Sequence, residues 1–407
     1  MTQAKHPCRI VRSATIPGSL NTFCRGQLAE LSAMGYDVVA VSSPDPQLRE
    51  LADREGVNVC AVPFERHISI AADLRSLWLM WRALRRIKPR MVHSMTPKAG
   101  LISMMAARLA GVPVRVHTFT GLIWPTATGM KRRILMLTDR ILCACATHIV
   151  PEGQGVRHDL LSAGITRKDL RVLANGNVRG IDPDHYCRSE QVMAQADKIR
   201  VPGVFTFVFV GRLVADKGIR ELVNAFSRLH AEHPDTRLIL VGRQEPQLDP
   251  LPAETLRLIE SSDAIQAVGN QDDVRPWMAA SDALAFPSYR EGFPNVVIEA
   301  GAMGLPSIVT DINGSREIVV DGLNGLIIPT HSADALHAAM LRLYSDRALC
   351  QRLAEAARPR AVTNWSQSVV RKALYDFYDS ILADCPHKTH THNKGRLSHA
   401  GRIGLSY

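Results

Sequence analysis

The feature that most narrows the possible folds of this chain is a rhythm that runs through it twice: a short apolar run, a turn, then a longer stretch with helical spacing. In the first series the apolar runs are Ile10-Val11, Val38-Val39-Ala40-Val41, Val57 to Val62, Met91-Val92-His93, Val114-Arg115-Val116-His117 and His148-Ile149-Val150. A second series restarts at Phe205 to Val210 and continues through Leu238 to Val241, Ile265 to Val268, Ala283 to Phe286 and Ser307 to Thr310. Runs this apolar, joined by helix-length connections, read as strands of a parallel sheet covered on both faces. Two series predict an α/β protein of two Rossmann-like, doubly wound domains facing a central cleft. A chain of 407 residues with 46% hydrophobic content has enough apolar material for two such cores.

The expected boundaries are a first domain over 1–184, a linker over 185–203, a second domain over 204–364 and a helix over 365–384 that crosses back to the first domain. Asn175 to Pro183, rich in Gly, Asn and Asp, opens the crossing between the two series. Residues 385–407 are expected to be a disordered basic tail, because His387, His390 and His392 and their continuation lack apolar periodicity. Nothing folded would hold those histidines on a metal.

Charge divides the chain unevenly. Residues 1–184 carry 25 Lys and Arg against 14 Asp and Glu, whereas 185–384 carry 20 against 25. A basic first half favours nucleic acid, anionic lipid or phosphorylated ligands, and without a recognisable nucleic-acid motif the membrane surface is the better expectation. The helical stretch Leu74 to Arg86 mixes Trp78 and Trp81 with Arg75, Arg82, Arg85 and Arg86, which suits an interfacial helix as well as a buried Rossmann helix. No apolar stretch approaches the roughly 18 residues of a membrane span, and no signal-like segment opens the chain. A cytoplasmic protein, peripheral on the inner face of a membrane, is expected. The eight scattered cysteines look like ordinary thiols rather than a disulfide framework.

The chemistry concentrates in two turns of the second series. After the run Ala283 to Phe286 comes Tyr289-Arg290-Glu291-Gly292-Phe293-Pro294-Asn295-Val296-Val297-Ile298-Glu299, two carboxylates that straddle a helix start. Pro294 is pre-organised for a first helical turn, whose free N–H groups and partial positive charge suit a diphosphate. Carboxylates suit sugars, because each oxygen accepts from hydroxyl donors. The other turn, Gly211-Arg212-Leu213-Val214-Ala215-Asp216-Lys217-Gly218, follows a strand and offers one forked and one point-like cation. A dehydrogenase is disfavoured, since no Gly-x-Gly-x-x-Gly occurs and Gly153-Gln154-Gly155 runs on to His158.

Gly211-Arg212 with Lys217-Gly218, the Glu291 to Glu299 block, and Gly314-Ser315-Arg316-Glu317 to Asp321-Gly322-Leu323-Asn324-Gly325 together resemble the retaining glycosyltransferases of GT-B family 4. The resemblance is strongest from Phe205 to Pro329. In the first half, His93 to Gly100 and Ala106 to Pro113 look like the members that build bacterial capsule, O-antigen or lipid-linked glycans. The resemblance implies a nucleotide-sugar donor, UDP-linked, and an acceptor saccharide on a polyprenyl diphosphate. It implies that Arg212 and Lys217 bind the donor diphosphate, that Glu299 takes the ribose, and that Glu291 contacts the transferred sugar beside backbone N–H groups of the stretch Gly292, Phe293, Pro294, Asn295, with Val296 adjoining. The base would sit near Gly242, Arg243 and Val268. Asp311 to Glu317 reads as architectural.

One departure concerns the strand before the cleft. Relatives end it with a histidine that touches the sugar, whereas this chain reads His117-Thr118-Phe119-Thr120-Gly121, so either His117 fills the role or Thr120 replaces it. After the first strand, Gly18 and Ser19 stand where the family has paired glycines, and acceptor contact is expected there. No metal or other cofactor is expected, because Arg212 and Lys217 supply the charge, and Asp182-Pro183-Asp184 lies in the crossing segment. The rival readings are a GT-B sugar-nucleotide epimerase, a phosphorylase, and an inactive sugar-nucleotide-binding protein.

Overall fold

The computed structural model describes residues 8–383, apart from 66–68, 246 and 248. The tail histidines and Cys385 lie outside the described residues. The first series forms β1 (Arg9–Ser13), β2 (Asp37–Ser42), β3 (Asn58–Ala61), β4 (Met91–Met95), β5 (Val114–Phe119) and β6 (His148–Pro151). The second forms β7 (Phe205–Val210), β8 (Thr236–Val241), β9 (Ile265–Gly269), β10 (Ala283–Phe286), β11 (Ser307–Thr310) and β12 (Gly325–Ile328). β12 is an addition to the sequence reading, which treats those residues only as the end of a motif.

All pairings between these strands are parallel, in the orders β3-β2-β1-β4-β5-β6 and β12-β11-β10-β7-β8-β9. Counted from its own first strand, each sheet has the same doubly wound order, so each reverses direction beside that strand: between β1 and β4, and between β7 and β10. Ligands of such sheets bind beyond the carboxyl ends of the strands at that reversal. The strand interiors explain the architecture. Phe205, Phe207, Val208 and Phe209 are all buried, which requires cover on both faces.

Each first-domain face has its own core. On one face the helices Ile70–Ile87, Pro97–Leu109 and Gly129–Cys145 pack side by side, burying Met80, Leu84, Ile102, Ala106 and Leu142. On the other, Leu20, Leu28, Leu31 and Leu51 meet Leu374, Phe377, Tyr378 and Ile381 of the helix Gln367–Ala383, which packs on the first sheet.

Two details differ from the sequence reading. The segment 185–203 is not an open linker, because Glu190–Ile199 is a helix of the second domain with Val192 and Ala196 buried and Ser189 Oγ capping the Val192 N–H. Its polar surface residues hid a two-residue buried stripe. The last helical stretch also breaks: Trp365 ends the helix Arg347–Trp365, and Ser366 leaves helical geometry before the next begins. There the Ile181 N–H donates to the Trp365 carbonyl at 2.7 Å and the Gln367 N–H to the Ile181 carbonyl at 2.8 Å, so the chain's two passages between domains are bonded to each other.

Candidate functional site

The two turns singled out in the sequence meet at the reversal point of the second sheet. Residues Ala215–Lys217 form a single 3₁₀ turn, and Gly218 follows at φ +70°. A Cβ on Gly218 would lie 2.1 Å from the Pro287 carbonyl oxygen, so only glycine lets the β7 loop lie this close to the β10 loop. Cross-links then fasten them: the Tyr289 N–H donates to the Asp216 carbonyl (2.9 Å), Arg290 Nη2 to Asp216 Oδ2 (3.0 Å), and Lys217 Nζ to Glu291 Oε1. Ser288 Oγ donates to the same Glu291 oxygen at 2.7 Å. Lys217 and Glu291 are thus one paired unit, each mostly buried.

Arg212 lies on the outer side of the turn, half exposed, with Nη1 2.8 Å from Glu245 Oε2. Arg243 Nη2 reaches the other Glu245 oxygen at 3.0 Å. Glu245 therefore gathers both candidate donor-binding arginines, and no motif marks it in the sequence. Gly242, Arg243 and Val268 sit at the carboxyl ends of β8 and β9, where the Gly242 N–H donates to the Gly269 carbonyl at 2.8 Å. The helix Asn295–Ala302 begins directly after Pro294, which leaves the N–H groups of its first turn without partners inside the helix. Pro294 itself has no N–H, so the donors of this stretch are Gly292, Phe293, Asn295 and Val296. Glu299 is buried one turn on and accepts from Arg179 Nη1 at 2.9 Å, with Tyr186 beside that arginine.

The first domain closes over this site. A Cβ on Gly292 would lie 2.4 Å from the Thr120 carbonyl oxygen, which makes Gly292 the point of closest approach between the β10 loop and the end of β5. Asn177 Nδ2 donates to Asn295 Oδ1 at 2.8 Å, and Phe293 is buried against Trp365. Glu317 crosses the cleft to accept from the Gln154 and Gly155 N–H groups (2.7 and 3.0 Å), capping the helix Gln154–Ser162 of the other domain, while Asn313 Nδ2 donates to Asp159 Oδ2 at 2.6 Å. Gly153 and Gly155 are small because Glu317 and Asn313 occupy the space their Cβ atoms would need.

Known proteins resemble this chain in sequence and in fold. Residues 204–346 match the family described as glycosyl transferases group 1, and residues 18–176 match the glycosyl transferase 4-like domain. The chain is a GT-B glycosyltransferase. Among curated relatives, the enzyme is 29% identical over 361 residues to the capsular polysaccharide biosynthesis glycosyltransferase CapM of Staphylococcus aureus, covering 88% of this chain and 94% of CapM. It is 27% identical over 321 residues to the Escherichia coli UDP-Gal:alpha-D-GlcNAc-diphosphoundecaprenol alpha-1,3-galactosyltransferase, covering 77% of this chain and 81% of that one. Anabaena HepE, solved in complex with UDP, superposes with a TM-score of 0.76 at 18% identity, covering 92% of this chain and 100% of HepE.

His117 is buried within the first domain. The glycosyltransferase encloses its ring, 1% exposed, under Gly100, where a Cβ would lie 2.3 Å from the imidazole, and edge-on to Phe119. Its Nδ1 bonds Ser94 Oγ at 2.8 Å, and burial pushes its pKa down to about 3. A ring so enclosed links β4 to β5 and is not at the surface of the cleft. Thr120, half-buried beyond the end of β5, is the residue at the cleft. Gly18 lies in the first turn of the helix Pro17–Cys24, where a Cβ would meet Gln47 and Ile16 at ordinary contact distance. Ser19 follows in the same turn, its N–H bonded to the Ile16 carbonyl at 3.0 Å.

Proposed function

We propose that this glycosyltransferase moves a hexose or N-acetylhexosamine from a UDP-sugar to a polyprenyl-diphosphate-linked saccharide during surface-polysaccharide biosynthesis, with retention of configuration. The observation that carries the reading is the meeting of the Lys217 turn, the Glu291 loop and a helix N-terminus under the end of β5. One mostly buried lysine, the carboxylate paired with it and the free N–H groups of a helix's first turn thus share a single cleft. The UDP held by HepE and the lipid diphosphate named for the Escherichia coli relative support the donor and acceptor classes. CapM supports the setting.

In this reading the donor diphosphate competes with Glu291 for Lys217 and with Glu245 for Arg212. Transfer turns on the departing nucleoside diphosphate, whose developing charge is met by these two cations and the helix N-terminus without a metal. The sugar passes through an oxocarbenium-like state. The acceptor hydroxyl attacks the face the phosphate leaves, and that phosphate accepts its proton. Glu291 holds the sugar, Glu299 the ribose and Thr120 the sugar from the first domain, while acceptor contacts fall near Gly18 and Ser19.

The acceptor class also calls for a membrane, and the first domain offers a surface suited to one. Among the described residues no helix is long and apolar enough to cross a bilayer. Yet on the outer side of three adjacent helices Ile70, Leu74 and Trp78, then Leu109, then Met130, Ile134, Leu137 and Ile141 are exposed. The last four recur at helical spacing, and Arg75, Arg82, Arg85, Arg86, Lys131, Arg132 and Arg133 lie exposed among and around them. An apolar stripe flanked by bases matches an anionic bilayer, the apolar groups entering the interface and the bases meeting headgroups.

The test is incubation with a panel of sugar nucleotides and polyprenyl-diphosphate sugars, with the anomeric configuration of the product read by NMR. Transfer of a UDP-sugar with retention is expected. Conversion of the sugar nucleotide without acceptor would mean an epimerase, and binding without turnover an inactive binder.

A further inference from the structure

Glu152 follows β6 at the carboxyl edge of the first sheet, where the second domain closes on it. Its main chain is held on both sides: its N–H donates to the Phe119 carbonyl at 3.0 Å, and its carbonyl accepts from the Asn177 N–H at 2.8 Å. The side chain is 3% exposed, and Oε1 has no hydrogen-bond partner among the described residues. A buried carboxylate without donors is costly, whereas a neutral carboxyl group is not.

The charged groups facing it come from the other domain. Glu291, on the loop after β10, is already held by Lys217 and Ser288, and Glu317, at the turn Ser315–Ile318, already holds the Gln154 and Gly155 amides. Both of those carboxylates therefore already have hydrogen-bond donors of their own. The other groups along this contact, Asn177, Asn295 and Phe293, do not titrate. Burial first, then the charges of Glu291 and Glu317, hold the Glu152 carboxyl well above the ordinary carboxylate range. The cluster is not a cation site, for among the described residues no group of three or more His, Cys, Asp or Glu side chains could hold a metal.

We propose that Glu152 is a positioning residue whose proton lets the cleft close: protonated it packs between the Glu291 loop and the Glu317 turn, and ionised it holds the two domains apart. The proposal deepens the glycosyltransferase reading and rests on it only for the role of Glu291. Both facing carboxylates belong to the second domain, so opening the cleft removes them and admits water, returning Glu152 to an ordinary carboxylic acid. The closed state therefore holds this proton to higher pH than the open state does. Closure is favoured at low pH and weakens as pH rises toward the closed-state value.

Small-angle X-ray scattering of the full chain from about pH 5 to about pH 9 tests this without any substrate. The wild-type radius of gyration should rise with pH, while Glu152→Gln, neutral at every pH and nearly the same shape, should stay compact throughout. Glu152→Met, uncharged, unbranched and of similar length, should likewise stay compact at every pH. A Glu152→Gln chain that expands along the wild-type curve would overturn the proposal, as would a wild-type radius independent of pH. If Glu152→Gln loses its cooperative melt, Glu152→Met decides alone, and its expansion along the wild-type curve ends the idea. No arm measures transfer, so failure of the sugar-nucleotide panel and failure of this proposal are separate outcomes.

Discussion

The two domains share one strand order but treat charge in opposite ways where they face each other. The second domain presents ionised groups in pairs: Lys217 with Glu291, Arg212 and Arg243 with Glu245, Arg290 with Asp216. Apart from Arg179, which pairs with Glu299, and Asp159, which accepts from Asn313, the first domain keeps titratable side chains there neutral. His93 is buried between Tyr378 and Thr118 with its pKa held well below the ordinary range, by burial and then by Arg12 and His117, and His117 and Glu152 are likewise kept neutral. The difference fits the division of labour in the proposed reaction. A departing diphosphate needs cations already in place, and pairing them with carboxylates makes the empty cleft stable until the diphosphate displaces the pairing. An acceptor hydroxyl needs a shaped, uncharged wall instead.

The comparison breaks most easily at Lys217. Lys217→Ala should lower turnover about 10²–10³-fold, the scale for one preorganised charge stabiliser, and should also lower the thermal melt, since Glu291 loses its buried partner. Steady-state kinetics beside a melting curve reads both. Turnover near wild type would remove the diphosphate assignment and leave Lys217 as a structural partner of Glu291.

On the first-domain side the largest effect should fall on stability. His117→Ala empties a sealed ring site and leaves Ser94 Oγ without its partner, so a loss of ~2–3 kcal/mol in denaturant unfolding is expected. Thr120→Val should show the reverse, slower transfer with an unchanged unfolding midpoint. Because burial holds the folded imidazole's pKa at about 3, against about 6.5 in an unfolded chain, its stabilising contribution is complete above about pH 6.5 and is lost progressively as pH falls from there toward about 3. A His117 variant that unfolds like wild type yet transfers poorly would return this residue to the sugar.

A finer contrast lies within the second domain. Glu299→Gln should weaken UDP about tenfold, or about 1.4 kcal/mol, while Glu291→Gln should leave UDP affinity in place and slow transfer. Calorimetry with UDP separates them. Loss of affinity in the Glu291 variant alone would exchange the two roles.

What could be read from sequence follows the same division. The eleven apolar runs became strands because each was too short and too continuous to be an amphipathic helix, whereas β12 was hidden by the Gly322-Leu323-Asn324-Gly325 turn that leads into it. The Lys217 and Glu291 turns were legible because each lies at a strand's carboxyl end, where the topology puts ligands. The choice between His117 and Thr120 was not, since in a sheet buried on both faces side-chain parity does not separate core from site. Only distance past the strand end does, and β5 stops at Phe119. Glu245, Arg179 and Glu152 escaped because their importance lies in partners brought up by folding or by closure, Arg179 with Glu299 and Glu317 with the Gln154 amide being far apart in the chain.

The smallest expected effect tests whether the first domain, largely neutral within the cleft, carries its charge on its outer face for a bilayer. A single base near an anionic surface contributes on the order of 1 kcal/mol, and salt screens it. Arg82 is exposed on the apolar face with its guanidinium 5.5 Å from the centre of the Trp78 ring, so Arg82→Gln should weaken sedimentation with anionic liposomes about fivefold at low salt. At high salt wild type and variant should converge. What remains bound there measures the apolar contribution of Trp78, Ile134 and Leu137, because burial of apolar surface is not screened. UDP affinity should not change, since this helix belongs to the other domain from the donor turns. If the wild-type enzyme does not sediment with anionic liposomes even at low salt, the outer face serves something other than a membrane, and the assignment of the second domain's cleft is untouched.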